Sequence, residues 1–204
     1  MSVTATDDPI FHLDSNPFGV TYGQWTIRWW NWALSTPVEV NPVLDCSGQY
    51  ANVNQSGPVW FLAGTVGDKN KIADRTCSIP LGKAILFPVI NYICTYNKSE
   101  PIFFDNNDLI RRAGKDIDDI VIRNADLDCK PIKVYRVFSD PYIFQLNVMG
   151  ENILGIPQGT SKAAADGYWV FLKPMTDGAH TIRFHGSCSG GTRNAAANYQ
   201  IKVM

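Results

Sequence analysis

The sequence predicts an all-β chain, an antiparallel β-sandwich of jelly-roll-like form that carries one Trp-rich helix. Three observations lead there. Seven runs rich in β-branched and aromatic residues are set apart by turns bearing Gly, Pro, Asn and Ser. Several of those runs alternate apolar with polar residues, as strands with one buried face do. Helical periodicity is confined to two segments. Composition agrees: 204 residues, 45% hydrophobic and 12% aromatic with six Trp, suit a single domain spanning 1–204 with a core of its own. Charged residues make up only 18%, which with the aromatic content excludes a disordered chain. Eighteen Lys and Arg offset nineteen Asp and Glu, so the chain lacks the basic excess of a general nucleic-acid binder.

Residues 1–20 contain Pro9, Pro17 and Gly19 among scattered apolar anchors and read as an extended arm laid over the body. A helix follows over about 21–34. Thr21 and Gln24 have capping-box spacing, and Ser35-Thr36-Pro37 stops the helix because proline disfavours the helical conformation in the residue before it. Gly57–Gly64 and Lys83–Tyr92 are nearly continuous apolar runs, expected for strands covered on both faces. Ile132–Phe138, Tyr142–Val148, Tyr168–Lys173, Ala179–Gly186 and Ala197–Val203 complete the strands. A second helix is expected at about 107–121, with Leu109, Ile110, Ala113, Ile117 and Ile120 at helical spacing and Gly114 weakening it. Polar loops are expected at 67–76, 96–100 and 186–195. No internal repeat divides the chain.

The first residues, MSVTATDDPIF, hold neither a basic nor an apolar leader region, which reads as no signal peptide. The expectation is an intracellular protein or a secreted one already trimmed, with no segment near the ~20 apolar residues of a membrane span. Five cysteines at wide spacing form no CxxC, so neither a zinc ribbon nor a thioredoxin-type motif is available. Spacing leaves open whether Cys46, Cys77, Cys94 and Cys129 pair.

Trp25, Trp29 and Trp32 lie at i, i+4 and i+7 on one stripe, with Ile27, Trp30 and Leu34 on a neighbouring one. A helix apolar on nearly all sides is normally buried, so this one is expected to plug the sandwich rather than stack sugars. His180 shares its face with Ile182 and Phe184 and reads as a satisfied core residue, whereas His185 faces the other way. The segment Gly186–Arg193 joins hydroxyls, glycines, a thiol and a guanidinium. Gly-rich loops aim N–H groups at anions, so Arg183, His185, Ser187, Ser189 and Arg193 are the candidate ligand-binding residues. His185 and Cys188 are the candidate base and nucleophile should the chain be catalytic. No histidine pair has metal-ligand spacing, and no cofactor motif is present. Asp116, Asp118 and Asp119 cluster but lack calcium-loop spacing and read as a solvated helix face. Asn54-Gln55-Ser56 and Asn97-Lys98-Ser99 fit the glycosylation sequon.

The order GVTYGQWTIRWWNWALSTP (19–37), NQSGPVWFLAGT (54–65), IPLGKAILFPVIN (79–91) and ADGYWVFLKPMTDGAHTIRFHG (165–186) resembles a group of archaeal and bacterial single-domain proteins. The resemblance covers most of the chain from Gly19 onward. It carries no established activity, and hence implies no catalytic residues. Some members of that group bear export leaders, unlike the first residues here. The function expected is a non-catalytic β-sandwich module binding a small molecule, a carbohydrate or a protein surface. The alternatives are a structural protein of a coat, surface layer or virion, homo-oligomeric in that case, and an enzyme using His185 and Cys188.

Overall fold

Thr21 caps its helix as its spacing with Gln24 requires: the Thr21 hydroxyl accepts from the Gln24 N–H, and the Gln24 amide oxygen accepts from the Thr21 N–H, both at 3.2 Å. In the computed structural model, which describes residues 8–65, 72–96 and 105–204, this helix α1 spans Tyr22–Ser35. Two five-stranded sheets of mixed orientation follow. In chain order the remaining elements are β1 (Val59–Phe61), β2 (Ala73–Ile79), β3 (Ala84–Thr95), α2 (Asn106–Asp118), β4 (Ile120–Leu127), β5 (Lys130–Pro131), β6 (Tyr135–Phe138), β7 (Phe144–Val148), β8 (Gly159–Leu172), β9 (Gly178–Cys188) and β10 (Asn194–Val203).

One sheet runs β1-β3-β8-β6, with β7 pairing the first half of β8; the other runs β2-β10-β9-β4-β5. Their facing sides share a core in which Ile85, Phe87, Val89, Val170 and Leu172 meet Ile182, Phe184, Tyr199, Ile201 and Val203. The alternate residues of the first sheet, among them Leu86, Ala163, Ala165, Trp169 and Phe171, point away from the second sheet and are covered by α1. The helix is therefore a third layer over the outer face of a sheet, a correction to the expected plug inside the sandwich. Its burial is as expected: Trp25, Trp29 and Trp32 are each 3–5% exposed. Removing three such rings from water contributes up to about 15 kcal/mol gross.

The expectation of antiparallel pairing is also corrected, for the sheets are of mixed orientation. β1 pairs β3 in parallel, and β2 pairs β10 in parallel. For β1 and β3 the cause is connectivity: β2, between them in sequence, lies at the edge of the other sheet, and the chain returns through Pro80–Lys83 to lie beside β1, a crossover that yields parallel neighbours.

Several boundaries move. The second helix ends at Asp118 rather than at about 121, because Ile120 begins β4, a strand not among the expected runs. Part of the expected 67–76 loop is β2, whose inward set Ala73, Arg75, Cys77 and Ile79 hides its apolar face behind an arginine. β9 and β10 extend into the expected 186–195 loop, leaving a turn of 189–193. The arm is extended only at Pro9–Phe11, where Phe11 N–H donates to the Phe171 carbonyl and Lys173 N–H to that of Pro9; it then turns at His12–Ser15 and winds into a 3-10 turn at Pro17–Gly19. All five cysteines are free thiols. No helix among the described residues is long and apolar enough to cross a membrane. The sequon Asn97-Lys98-Ser99 lies outside the described residues.

Candidate functional site

Strand alternation decides where the candidate residues go. Ile182 and Phe184 face the sandwich core, so Arg183, His185 and Ser187 face the opposite side of β9. Cys188 returns to the inner side, packed with Ile90, Ile117 and Ile120. His185 and Cys188 thus lie on opposite faces. His185 Nε2 meets Asn194 Oδ1 at 2.7 Å, whereas Cys188 Sγ meets Thr192 Oγ1 at 3.3 Å and accepts from the Arg193 N–H at 3.2 Å. The Thr192 hydroxyl, together with the N–H and charge of Arg193, lowers the Cys188 thiol to about 7. Ser187 is buried, its hydroxyl donating to carbonyls of Cys188 and Arg193 at 3.3 and 3.4 Å. Ser189 is exposed. Arg193 bonds Asp116 and reaches Asp119 at 3.4 Å, so the acidic cluster is used to anchor the turn. Asp118 pairs with Arg136 instead. The six candidates do not converge on one point; Arg193 lines a cavity beside the turn.

That cavity, about 310 Å³, arises from the way β1 ends. β1 accompanies β3 only as far as Phe61 opposite Leu86, plus one further bond from the Leu62 N–H to the Leu86 carbonyl. Beyond it the chain turns toward β10, where Thr65 and Ala196 exchange hydrogen bonds. The later half of β3 is left without a strand neighbour on that side among the described residues. α1, α2, the 189–193 turn and residues 153–154 flank this edge and leave a half-open cavity. A bulge between Pro88 and Ile90 shifts the register of β3, so that Val89 and Ile90 both face the second sheet and Asn91 turns toward α1.

The cavity is mainly apolar, lined by Ile90, Ile93, Ile117 and the Trp29 and Trp30 rings. Trp29 Nε1 donates to the Leu62 carbonyl at 2.8 Å. Trp30 Nε1 and Asn91 Nδ2, on two residues that line the cavity, are buried without a protein partner. Trp169 Nε1, Trp60 Nε1 and the Tyr22 hydroxyl, on residues that do not line it, have none either. A Cβ on Gly167 would stand 2.7 Å from Asn91 Cβ and 2.8 Å from Trp169 Nε1, so glycine is required for these two to approach. The rim carries Asp116, Arg193, Thr192 and Tyr92. Burial raises the Tyr92 phenol, and the Asp116 carboxylate beside it adds to the rise.

Sequence reasoning missed Asn91, Trp30 and Gly167 as site residues. Two signals were present: a polar Asn inside an apolar run read as buried on both faces, and a glycine inside a strand, which marks a close approach. Among the described residues no cluster of three His, Cys, Asp or Glu is arranged to hold a metal ion. No protein-family model matches the chain, and no curated protein matches it.

Proposed function

We propose that the chain is a non-catalytic binding module that takes one small, mostly apolar molecule into the cavity at the open edge of β3. The observation that carries this reading is a half-open cavity of about 310 Å³ with mainly apolar walls and a few polar side chains, Asn91, Asp116, Thr192 and Arg193, along its lining. Ligand pockets have that character: apolar walls, a few polar groups to fix orientation, and volumes from about 300 Å³ upward. A surface platform for stacking sugars is less well supported, because all six Trp are 1–6% exposed. Catalysis by His185 and Cys188 has no geometric support, since a base must reach its nucleophile.

The test is a ligand-observed NMR screen of small ring compounds, with Leu154→Trp as the occluded control. Leu154 lines the mouth and is 39% exposed, so the larger ring can fill the opening without disturbing the core. Binders whose signals are lost in Leu154→Trp support the reading. A screen yielding no compound sensitive to that substitution overturns it.

A further inference from the structure

We infer that the open edge of β3 takes up an extended segment of a partner protein by strand addition, and that this segment carries acidic residues along one side. The inference goes beyond the small-molecule cavity and stands apart from it.

The first argument is the direction of the backbone groups along β3. Tyr96 N–H donates to the Lys162 carbonyl at 3.0 Å, and Ser139 N–H donates to that of Ala165 at 2.9 Å. Even-numbered residues in this part of β8 therefore bond β3, and odd-numbered ones bond the strands on the other side. Bonding and non-bonding pairs alternate in an antiparallel ladder. Asn91, Ile93 and Thr95, opposite Gly167, Ala165 and Ala163, form the non-bonding pairs. Their N–H and C=O groups point away from β8, to the side where β3 has no strand neighbour among the described residues. None of those groups has a hydrogen-bond partner among the described residues. A row of this kind is a template for another strand.

The second argument is shape. From Asn91 to Tyr96 the edge is about 20 Å long at ~3.4 Å per residue. Residues 92–96 line a second cavity of about 900 Å³, flanked by α2, which supplies Asn106, Leu109 and Arg112, and by the segment 154–162. A trough between two such flanks suits a single extended chain better than the edge of a second folded copy.

The third argument is charge. Arg112 and Lys162 line this second cavity, and among the described residues no carboxylate does. Both cations lie toward α2: Lys162 shares its face of β8 with Ala164, which packs on Leu109 and Ala113. The other side is apolar, for Ile156 packs with the residues covered by α1. In strand addition the main chain gives affinity and alternate side chains give specificity. The guest strand therefore turns acidic residues toward α2 and apolar residues the other way.

The probe is a blocked peptide of about seven residues that alternates valine with glutamate. One control replaces glutamate by lysine. Two others carry N-methyl groups on one or the other alternate set of residues, only one of which can pair with β3. Binding is measured by titration calorimetry, and hydrogen exchange is followed at the Ile93 and Thr95 amides. These amides should exchange rapidly in the free chain and slowly once the acidic peptide is bound. The acidic peptide should bind at least about tenfold more tightly than the lysine peptide. One N-methylated peptide should lose binding at least about tenfold and the other keep it. Arg112→Gln should narrow the gap between acidic and lysine peptides several-fold, and Lys162→Gln serves as the second charge deletion. Slow exchange at Ile93 and Thr95 in the free chain overturns the inference, because the edge is then already covered, by a second copy or otherwise. Equal loss with both N-methylated peptides overturns strand pairing, and equal affinity for the acidic and lysine peptides overturns the acidic guest. No binding by any peptide overturns the whole inference, while the small-molecule reading is decided separately by the Leu154→Trp screen.

Discussion

Arg75→Met probes the joint that opens the cavity edge. Arg75 is 2% exposed. Its Nε donates to the Asp45 carbonyl at 2.7 Å, Nη1 to the Ala63 carbonyl and to the Tyr199 hydroxyl at 2.8 Å, and Nη2 to the carbonyls of Val43 and Gly64 at 3.3 and 3.5 Å. One side chain thus ties the segment after α1 and the segment after β1 to the second sheet. Methionine fills most of the volume and removes every donor. Each acceptor left unmade costs about 1–3 kcal/mol. The Ala63 carbonyl keeps its bond from the Tyr199 hydroxyl at 2.8 Å, and the contact to Gly64 is long, so two acceptors dominate. Release of a desolvated guanidinium offsets part of the loss. The balance is a destabilisation of about 2–4 kcal/mol, on the order of 4–16 °C in melting temperature for a chain of this size. Urea unfolding followed by Trp fluorescence measures it. Hydrogen exchange should show faster opening at Leu62–Gly64 than elsewhere in the sheets. A variant within about 0.5 kcal/mol of the parent, the range of ordinary surface changes, would refute the assignment of Arg75 as the tie between these segments.

Gly167→Ala should cost about 1–3 kcal/mol through overpacking, because the new methyl would also stand 2.9 Å from the Asn91 backbone; calorimetric melting reads the loss. For His180, burial alone lowers the imidazole, but the Asp128 carboxylate at 2.8 Å and the Thr176 carbonyl at 3.0 Å raise it on balance. Burial would raise Asp128, yet His180 and the Thr181 N–H hold it low. The His180 contribution is therefore complete below about 6.5 and lost as pH rises through its raised folded value, while that of Asp128 is lost as pH falls below about 3.9. The stability difference between the parent and His180→Gln should be largest near about pH 5 and shrink toward about pH 8; a difference that grows with pH would contradict the pairing. Cys188 should ionise near 7 by ultraviolet thiolate absorbance, and Thr192→Val should move it up toward an ordinary thiol.

Elements whose residues interact with near neighbours were legible in the sequence. The capping box at Thr21 and the stop before Pro37 need only local chemistry. The alternation of Phe144, Leu146 and Val148 and of Tyr199, Ile201 and Val203 identifies strands with one covered face. β2 was hidden because its inward row contains Arg75, whose acceptors lie 11–124 positions away. The parallel pairs were hidden too, since strand orientation follows from where the chain crosses between sheets. The loop 186–195 drew attention for its chemistry-bearing residues, yet alternation along β9 separates His185 from Cys188. The cavity was illegible because its walls come from α1, β3, α2 and the 189–193 turn, which meet only once the sheets are assembled.

Trp30 and Asn91 line the cavity and each buries a donor without a protein partner, as Trp60 and Trp169 do away from it. A sequence selected for stability alone would place Leu or Phe at these positions, filling similar volumes with no donor to satisfy. Each unmade donor costs about 1–3 kcal/mol, a sizeable share of the 5–15 kcal/mol by which domains are stable. Such costs concentrate where function needs them. Asn91→Leu tests this, since its Nδ2 is unpartnered and the two side chains are close in size. If the amide serves a ligand, the ligand-free variant should be more stable than the parent by about 1 kcal/mol, a rise on the order of 2–4 °C, and should gain less from compounds whose binding Leu154→Trp abolishes. If the amide instead serves the fold, by fixing the bulge of β3 opposite Gly167, the variant should melt lower in the absence of ligand. The direction of that one shift separates a donor kept for binding from one kept for architecture.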